Sequence, residues 1–284
     1  MQEVVIIGAP RSGTNMLRDV LCSLPAIATW PCDEINYLWR HGNASYPSDE
    51  IPKERVNGRV KAKVRKSFNW VSKKYGANYV VEKTCANSLR VPFINAVIPS
   101  AKYVFIVRDG IDATGSAKLR WTAKLDIPYI LEKVRFVPKV DLPYYAGRYF
   151  WSRIYRIFSR EKRLAFWGPA LNNMQSVLSR HSLNEVCAIQ WQQCVDKADQ
   201  DFMSMPEEKY IKVRYEDFVQ NPDEELRRIL DFLDYKNVDG RLIESAVARV
   251  SPKSIGKGRA ALDDSEVKNL EVLVGDTLKS HGYL

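Results

Sequence analysis

Histidine is nearly absent. His41, His181 and His281 are the only three in 284 residues, which argues against a histidine-rich metal centre. Cysteine is sparse and odd in number. Cys22, Cys32, Cys85, Cys187 and Cys194 include no C-x₂-C pair, so neither a zinc ribbon nor a disulfide scaffold is expected, and the thiols suit a reducing compartment. No apolar run approaches the length that crosses a bilayer, and no basic stretch followed by an apolar one precedes the first strand. The expectation is a soluble, cytoplasmic protein. Internal repeats, low-complexity runs and linkers are also missing, so residues 1–284 are expected to form one domain. Acids are in the minority: 43 Lys and Arg face 34 Asp and Glu, a net charge of +9. That balance suits an anionic ligand, an acidic polymer or a membrane surface, and equally plain solubility.

What is present starts at the N-terminus. The apolar run Val4 to Ile7 meets the compact loop Gly8-Ala9-Pro10-Arg11-Ser12-Gly13-Thr14, and Met16, Leu17, Val20, Leu21 and Leu24 then recur at helical spacing. Strand, glycine-bracketed loop and helix make a phosphate cradle, because free N–H groups and the positive end of the helix dipole face the loop. The loop is not a Walker A motif. That motif carries lysine after its second glycine, whereas Thr14 stands there and the cation is Arg11, inside the loop.

Three further apolar runs read as core strands with charged tips: Tyr79 to Val81 before Glu82-Lys83-Thr84, Lys102 to Val107 before Arg108-Asp109-Gly110, and Tyr210 to Val213 before Arg214-Tyr215-Glu216-Asp217. In open α/β sheets, ligands bind beyond the carboxyl ends of the strands. This places Lys83 at a site, and lets Arg108 and Ser116 reach one anion; the alternative for Arg108 is a turn-stabilising pair with Asp109. Asp33 and Glu34 lie among aromatics after Pro31. They either face the same cleft or, for Asp33, cap the helix that follows.

Residues 53 to 74 hold nine cations against Glu54, with Val56, Val60, Val64, Phe68, Val71 and Tyr75 as an apolar stripe. The spacing predicts an amphipathic helix with a cationic outer face. From about 119 to 183 aromatics crowd in, interleaved with arginines from Arg148 to Arg163. This reads as a largely helical insertion suited to stacking on sugars or bases with anion contact. A helix over residues 184 to 203 and another beginning at Asn221-Pro222 follow. Ser251 to Arg259, rich in glycine and cations, is a second candidate anion site, and one final helix is expected from Val267 to Leu278.

Taken in order, GAPRSGT, EKT, YVFIVRDGIDATGS, YED with a following NP, and a late KGR resemble the sulfotransferases that use 3′-phosphoadenosine 5′-phosphosulfate (PAPS). The likeness is to the bacterial and Golgi branch, which includes tyrosylprotein and carbohydrate sulfotransferases. It touches most of the chain outside the insertion. It implies a P-loop-like three-layer α/β/α fold with a central parallel sheet. It implies in-line transfer of a sulfuryl group from PAPS to an acceptor hydroxyl, here expected on a carbohydrate or glycan. No metal is required, no nucleic acid is bound, and the product nucleotide is 3′,5′-adenosine bisphosphate (PAP). By the same resemblance Arg11, Ser12, Gly13, Thr14 and Asn15 cradle the 5′-phosphosulfate, and Arg108 and Ser116 bind the 3′-phosphate. Tyr215 lies near the nucleotide, and Lys257, Gly258 and Arg259 close over the phosphates. Lys83 contacts the sulfuryl group, with Arg11 spreading charge beside it, and Glu34 is the general base, with Asp33 its rival. Asn15 departs from a common second threonine, and Cys85 from the proline of EKTP. The competing readings are a P-loop nucleotide or metabolite kinase, and a non-catalytic binder of polyanions.

Overall fold

The computed structural model describes residues 1–121, 134–147, 150–151, 167–236 and 238–284. Five strands form one parallel sheet in the order β2-β3-β1-β4-β5. They are β1 (Gln2–Ile7), β2 (Ile27–Ala28), β3 (Tyr79–Lys83), β4 (Lys102–Val107) and β5 (Tyr210–Arg214). Helices among the described residues include α1 (Thr14–Cys22), α2 (Asn36–Trp39), α3 (Gly58–Tyr75), α4 (Val91–Val97), α5 (Gly110–Trp121), α6 (Met174–Arg180), α7 (Leu183–Met203), α8 (Tyr215–Gln220), α9 (Pro222–Phe232), α10 (Gly240–Val247), α11 (Asp264–Leu273) and α12 (Gly275–Ser280).

The strands carry apolar runs, Val4–Ile7 in β1, Val80–Val81 in β3 and Tyr103–Val107 in β4, because both faces of the sheet are covered there. Successive side chains alternate between two cores. Val5, Ile7, Tyr103, Phe105 and Val107 face one, with Val64 and Phe68 of α3, Ile94 of α4 and Trp191 of α7. Val4, Ile6, Val104 and Ile106 face the other, with Leu17 and Leu21 of α1, Phe218 of α8, Leu226 of α9 and Ile243 of α10. This is the expected three-layer α/β/α architecture. The central strand β1 lies between β3 and β4. The connection after β1 runs toward β2 and that after β4 toward β5, so the sheet opens a crevice at their carboxyl ends.

Several local expectations change. A two-residue edge strand, β2, precedes the aromatic stretch. The basic helix begins at Gly58, capped by Asn57, whose side chain accepts the Val60 N–H; Lys53–Arg55 is a separate 3₁₀ turn. The final helix is two, because the backbone leaves the helical region at Val274, with φ −120° and ψ 20°, ahead of Gly275. Asp33 caps no helix: Ile35 precedes α2 and no side chain caps it. The insertion expected at about 119–183 falls in large part outside the described residues. Of its described residues, Trp121, Leu171 and Val177 are buried in the α3–α7 core. All five cysteines are free.

Candidate active site

The phosphate loop leaves β1 with two residues in the left-handed backbone region, Arg11 (φ 69°) and Gly13 (φ 87°). Such a bend aims successive N–H groups to one side. Gly13 has a second reason to be glycine: a Cβ there would stand 2.4 Å from the Tyr215 ring. Gly8 is closely packed too, its N–H donating to Ser88 Oγ at 3.1 Å. A Cβ on Gly8 would meet the Ile106 carbonyl oxygen at 2.8 Å. The first-turn N–H groups of α1 have no carbonyl to bond within the helix. Ser12 is fully buried, and its hydroxyl oxygen has no hydrogen-bond partner among the described residues. An unpaired buried hydroxyl in the loop that carries Arg11 fits an oxyanion ligand. Thr14 is buried and Asn15 is exposed.

On the β3 side, Lys83 is buried with its ammonium between two carboxylates. Its Nζ donates to Asp33 Oδ1 at 2.9 Å and to Glu34 Oε1 at 3.0 Å. Burial alone would lower the lysine pKa. Glu34 foremost, with Asp33, outweighs it and holds the group above the usual lysine range. Asp33 is also paired with Arg18 at 2.8 Å. Burial acts to raise its pKa, but Lys83 and then Arg18 prevail and hold it below the usual range. Glu34 Oε1 also accepts the Cys85 N–H at 3.3 Å.

Beneath this group lies a polar layer that sequence reasoning passed over. Thr84 Oγ1 accepts the Ile35 N–H at 3.2 Å and donates its own proton to Glu82. Asn87 donates to the other Glu82 oxygen at 2.8 Å. Glu82 is wholly buried, and that burial pushes its carboxyl up to about 7. The chain direction of these bonds holds the Asp33–Glu34 turn against the strand tip. The signal in the sequence was EKT itself, a charged residue inside an otherwise apolar strand.

On the β4 side, Arg108 stacks on the Tyr215 ring at 4.4 Å and donates to the Ser254 carbonyl at 2.8 Å. Its ion-pair partner is Asp112, not Asp109, the pairing that the sequence left as the alternative. Asp112 is the residue that sequence reasoning missed. Its carboxylate accepts the N–H groups of Gly256, Gly258 and Arg259, and so ties the late loop to the first turn of α5. The spacing of Arg108 and Asp112, one helical turn apart, was the available signal. Gly115 and Gly258 complete the junction, since a Cβ on Gly115 would stand 2.0 Å from the Gly258 carbonyl oxygen. Tyr215 and Ser254 are hydrogen-bonded through their hydroxyls. Lys257 is exposed, and the Arg259 side chain turns to Glu271 at 2.7 Å and Asp109 at 3.6 Å.

The three groups meet. Arg11 Nε donates to Ser116 Oγ at 2.9 Å, and Arg108 donates to the Arg11 carbonyl at 3.0 Å. Thr14 Oγ1 and Cys85 Sγ are 3.8 Å apart, which joins the loop to the Lys83 side. Arg11, Ser12, Gly13, Thr14, Lys83, Arg108, Ser116 and Tyr215 therefore lie at the carboxyl ends of β1, β3, β4 and β5 or on the segments packed there. Among the described residues no cluster of three His, Cys, Asp or Glu could hold a metal ion, and no helix is long and apolar enough to cross a membrane.

Comparison with known proteins follows this geometry. No curated protein sequence matches the chain. Among solved structures, the sulfotransferase domain of the Synechococcus PCC 7002 olefin synthase superposes with a TM-score of 0.53 at 16% identity, covering 98% of this chain and 94% of that one. The sulfotransferase domain from the curacin biosynthetic pathway gives 0.51 at 12% identity over 96% and 97% of the two chains. Mouse sulfotransferase SULT7A1, solved in complex with PAP, gives 0.51 at 12% identity over 98% and 85%. These likenesses show the shared fold. The profile of the sulfotransferase family matches residues 3–153 and 152–239, and the chain belongs to that family.

Proposed function

We propose that the protein transfers a sulfuryl group from PAPS to a hydroxyl of a carbohydrate acceptor. The observation that supports it most is the junction of three anion-directed groups: Arg11 ties its loop to Arg108 and Ser116, and the Thr14–Cys85 contact joins that loop to the side of Lys83 and its carboxylates. When bound, PAPS supplies an activated sulfuryl group and a phosphate that departs from it. The rest of the chemistry belongs to the chain. Arg11, Ser12 and the first-turn amides of α1 hold the 5′ side, with Gly13 and Thr14 shaping the loop. Arg108 and Ser116 hold the 3′-phosphate. Tyr215 fixes the Arg108 plane, and Gly258 and Arg259 close the loop through Asp112.

Lys83 has three donors and directs two of them at Asp33 and Glu34. The third serves a sulfuryl oxygen. Developing charge is stabilised there at no reorganisation cost, because the ammonium is already fixed. Between the two carboxylates, Glu34 is the better base. Asp33 is bracketed by Lys83 and Arg18 and held well ionised, which weakens its pull on a hydroxyl proton. The described part of the insertion adds exposed aromatics, Tyr144, Phe150 and Trp151, of the kind that stack on sugar rings. The test is a product screen by mass spectrometry with PAPS and a panel of neutral and acidic oligosaccharides, a tyrosine peptide and a sterol. A gain of one SO₃ on an oligosaccharide is expected. Sulfation of the peptide or sterol alone would overturn the carbohydrate assignment.

A further inference from the structure

The basic face of α3 is not used by the site described above. The helix Gly58–Tyr75 carries seven cations and no acid. Its apolar side, Val60, Val64, Phe68 and Val71, is buried in the core. Arg59, Lys63, Lys66, Trp70 and Lys73 recur at steps of four, three, four and three on the outward side, so they form one stripe along the helix. By helix rise the stripe is about 21 Å long. Lys74 lies beside it, its ammonium 4.7 Å from the Trp70 ring centre.

No acid among the described residues pairs with this charge. Among the described residues, none of the seven cations makes an ion pair, while cations elsewhere, such as Arg18, Lys83 and Arg259, do. Like charges three and four residues apart repel on a helix. A face that keeps this repulsion unrelieved along its whole length is complementary to a linear polyanion. The helix is also tied to the segment that precedes Asp33 and Glu34. Ser67 of α3 accepts the Trp30 indole N–H at 2.8 Å, and Trp30 leads directly into Asp33 and Glu34. On the other side Phe136 packs edge-on to Trp70 at 5.5 Å.

We infer that the α3 stripe is a docking track for an acidic polysaccharide, which it holds alongside the Asp33–Glu34 turn. This rests on the carbohydrate reading of the acceptor. A lipid surface fits less well, because the apolar face that would insert is already buried in the core. A nucleic acid fits less well, because single strands stack on successive open rings and the stripe offers one ring, Trp70, already in contact with Lys74 and Phe136.

The experiment measures binding of a size-defined chondroitin sulfate oligosaccharide, a neutral dextran oligosaccharide, a short DNA duplex and phosphatidylserine vesicles. The proteins are the wild type and the Lys66→Glu, Lys73→Glu double variant, with PAP affinity and melting temperature as fold controls. The acidic oligosaccharide is expected to bind best, with an affinity that falls with salt and drops by about tenfold or more in the variant, the controls being unchanged. Equal binding by the two proteins overturns the inference, as does tighter binding of DNA or vesicles. Sulfation of a neutral glycan with no acidic-glycan binding overturns it while the carbohydrate reading stands. Loss of all carbohydrate sulfation with the track's binding intact overturns that reading alone.

Discussion

Lys83 holds two carboxylates with one buried ammonium, and its removal separates chemistry from binding. Lys83→Ala is expected to cut kcat by about 10² to 10³, with PAP affinity within a few-fold of the wild type; an unchanged kcat in a folded variant removes the lysine from the mechanism. Glu82, directly before it, gives a pH signature. Its carboxyl is raised by burial to about 7, above an unfolded value near 4.3. The folded state therefore binds the extra proton between those values. The stability that this group contributes is full below the unfolded pKa and is lost as pH rises through 7. Thermal melts from pH 4.5 to 8 should show this fall in the wild type and a flatter profile in Glu82→Gln; parallel profiles would contradict the assignment. Arg108, Ser116 and Lys83 were legible because each follows an apolar run with the right spacing. Asp112 was not, because its role depends on amides about 145 positions away in the chain.

At the scale of elements, the two anion-directed loops depend on close backbone approach. Gly13→Ala faces both a φ of 87° and a contact of 2.4 Å with the Tyr215 ring. A destabilisation of about 1–3 kcal/mol is expected, together with loss of PAP affinity, read by thermal melts and calorimetry; a variant with wild-type melting and binding would show that the loop tolerates a Cβ. Gly258→Ala places its Cβ 1.8 Å from the Asp112 carbonyl oxygen. It is expected to displace the late loop and weaken PAP by about tenfold or more with a smaller effect on the phosphate loop, measured by the same titration. Both loops were recognisable from glycine and cation content. Which glycine mattered, and for which neighbour, was not, because the clashes are with residues far along the chain. Element boundaries failed where the sequence carried little pattern: β2 is two residues long, and Val274 interrupts an apolar repeat that continues across it.

At the scale of the whole molecule, the sheet was the easiest feature to read. Strands must be apolar where both faces are buried, and Val4–Ile7 of β1 and Tyr103–Val107 of β4 show that directly. The order β2-β3-β1-β4-β5 sets β1 between β3 and β4, which brings Lys83 and Arg108 to either side of the phosphate loop. The excess of positive charge also has a structural address, since α3 supplies seven cations without an acid. What composition alone left open, between a binder of polyanions, a kinase and a sulfotransferase, is decided by the sulfotransferase family profile over residues 3–153 and 152–239. The most direct measurement is a calorimetric titration of the protein with PAP in EDTA, repeated with magnesium, with ADP, and on Arg108→Ala. PAP is expected to bind without metal, more tightly than ADP, and to lose about tenfold or more in affinity in Arg108→Ala. Binding of ADP only with magnesium, or no loss in the variant, would contradict a PAPS site at this crevice.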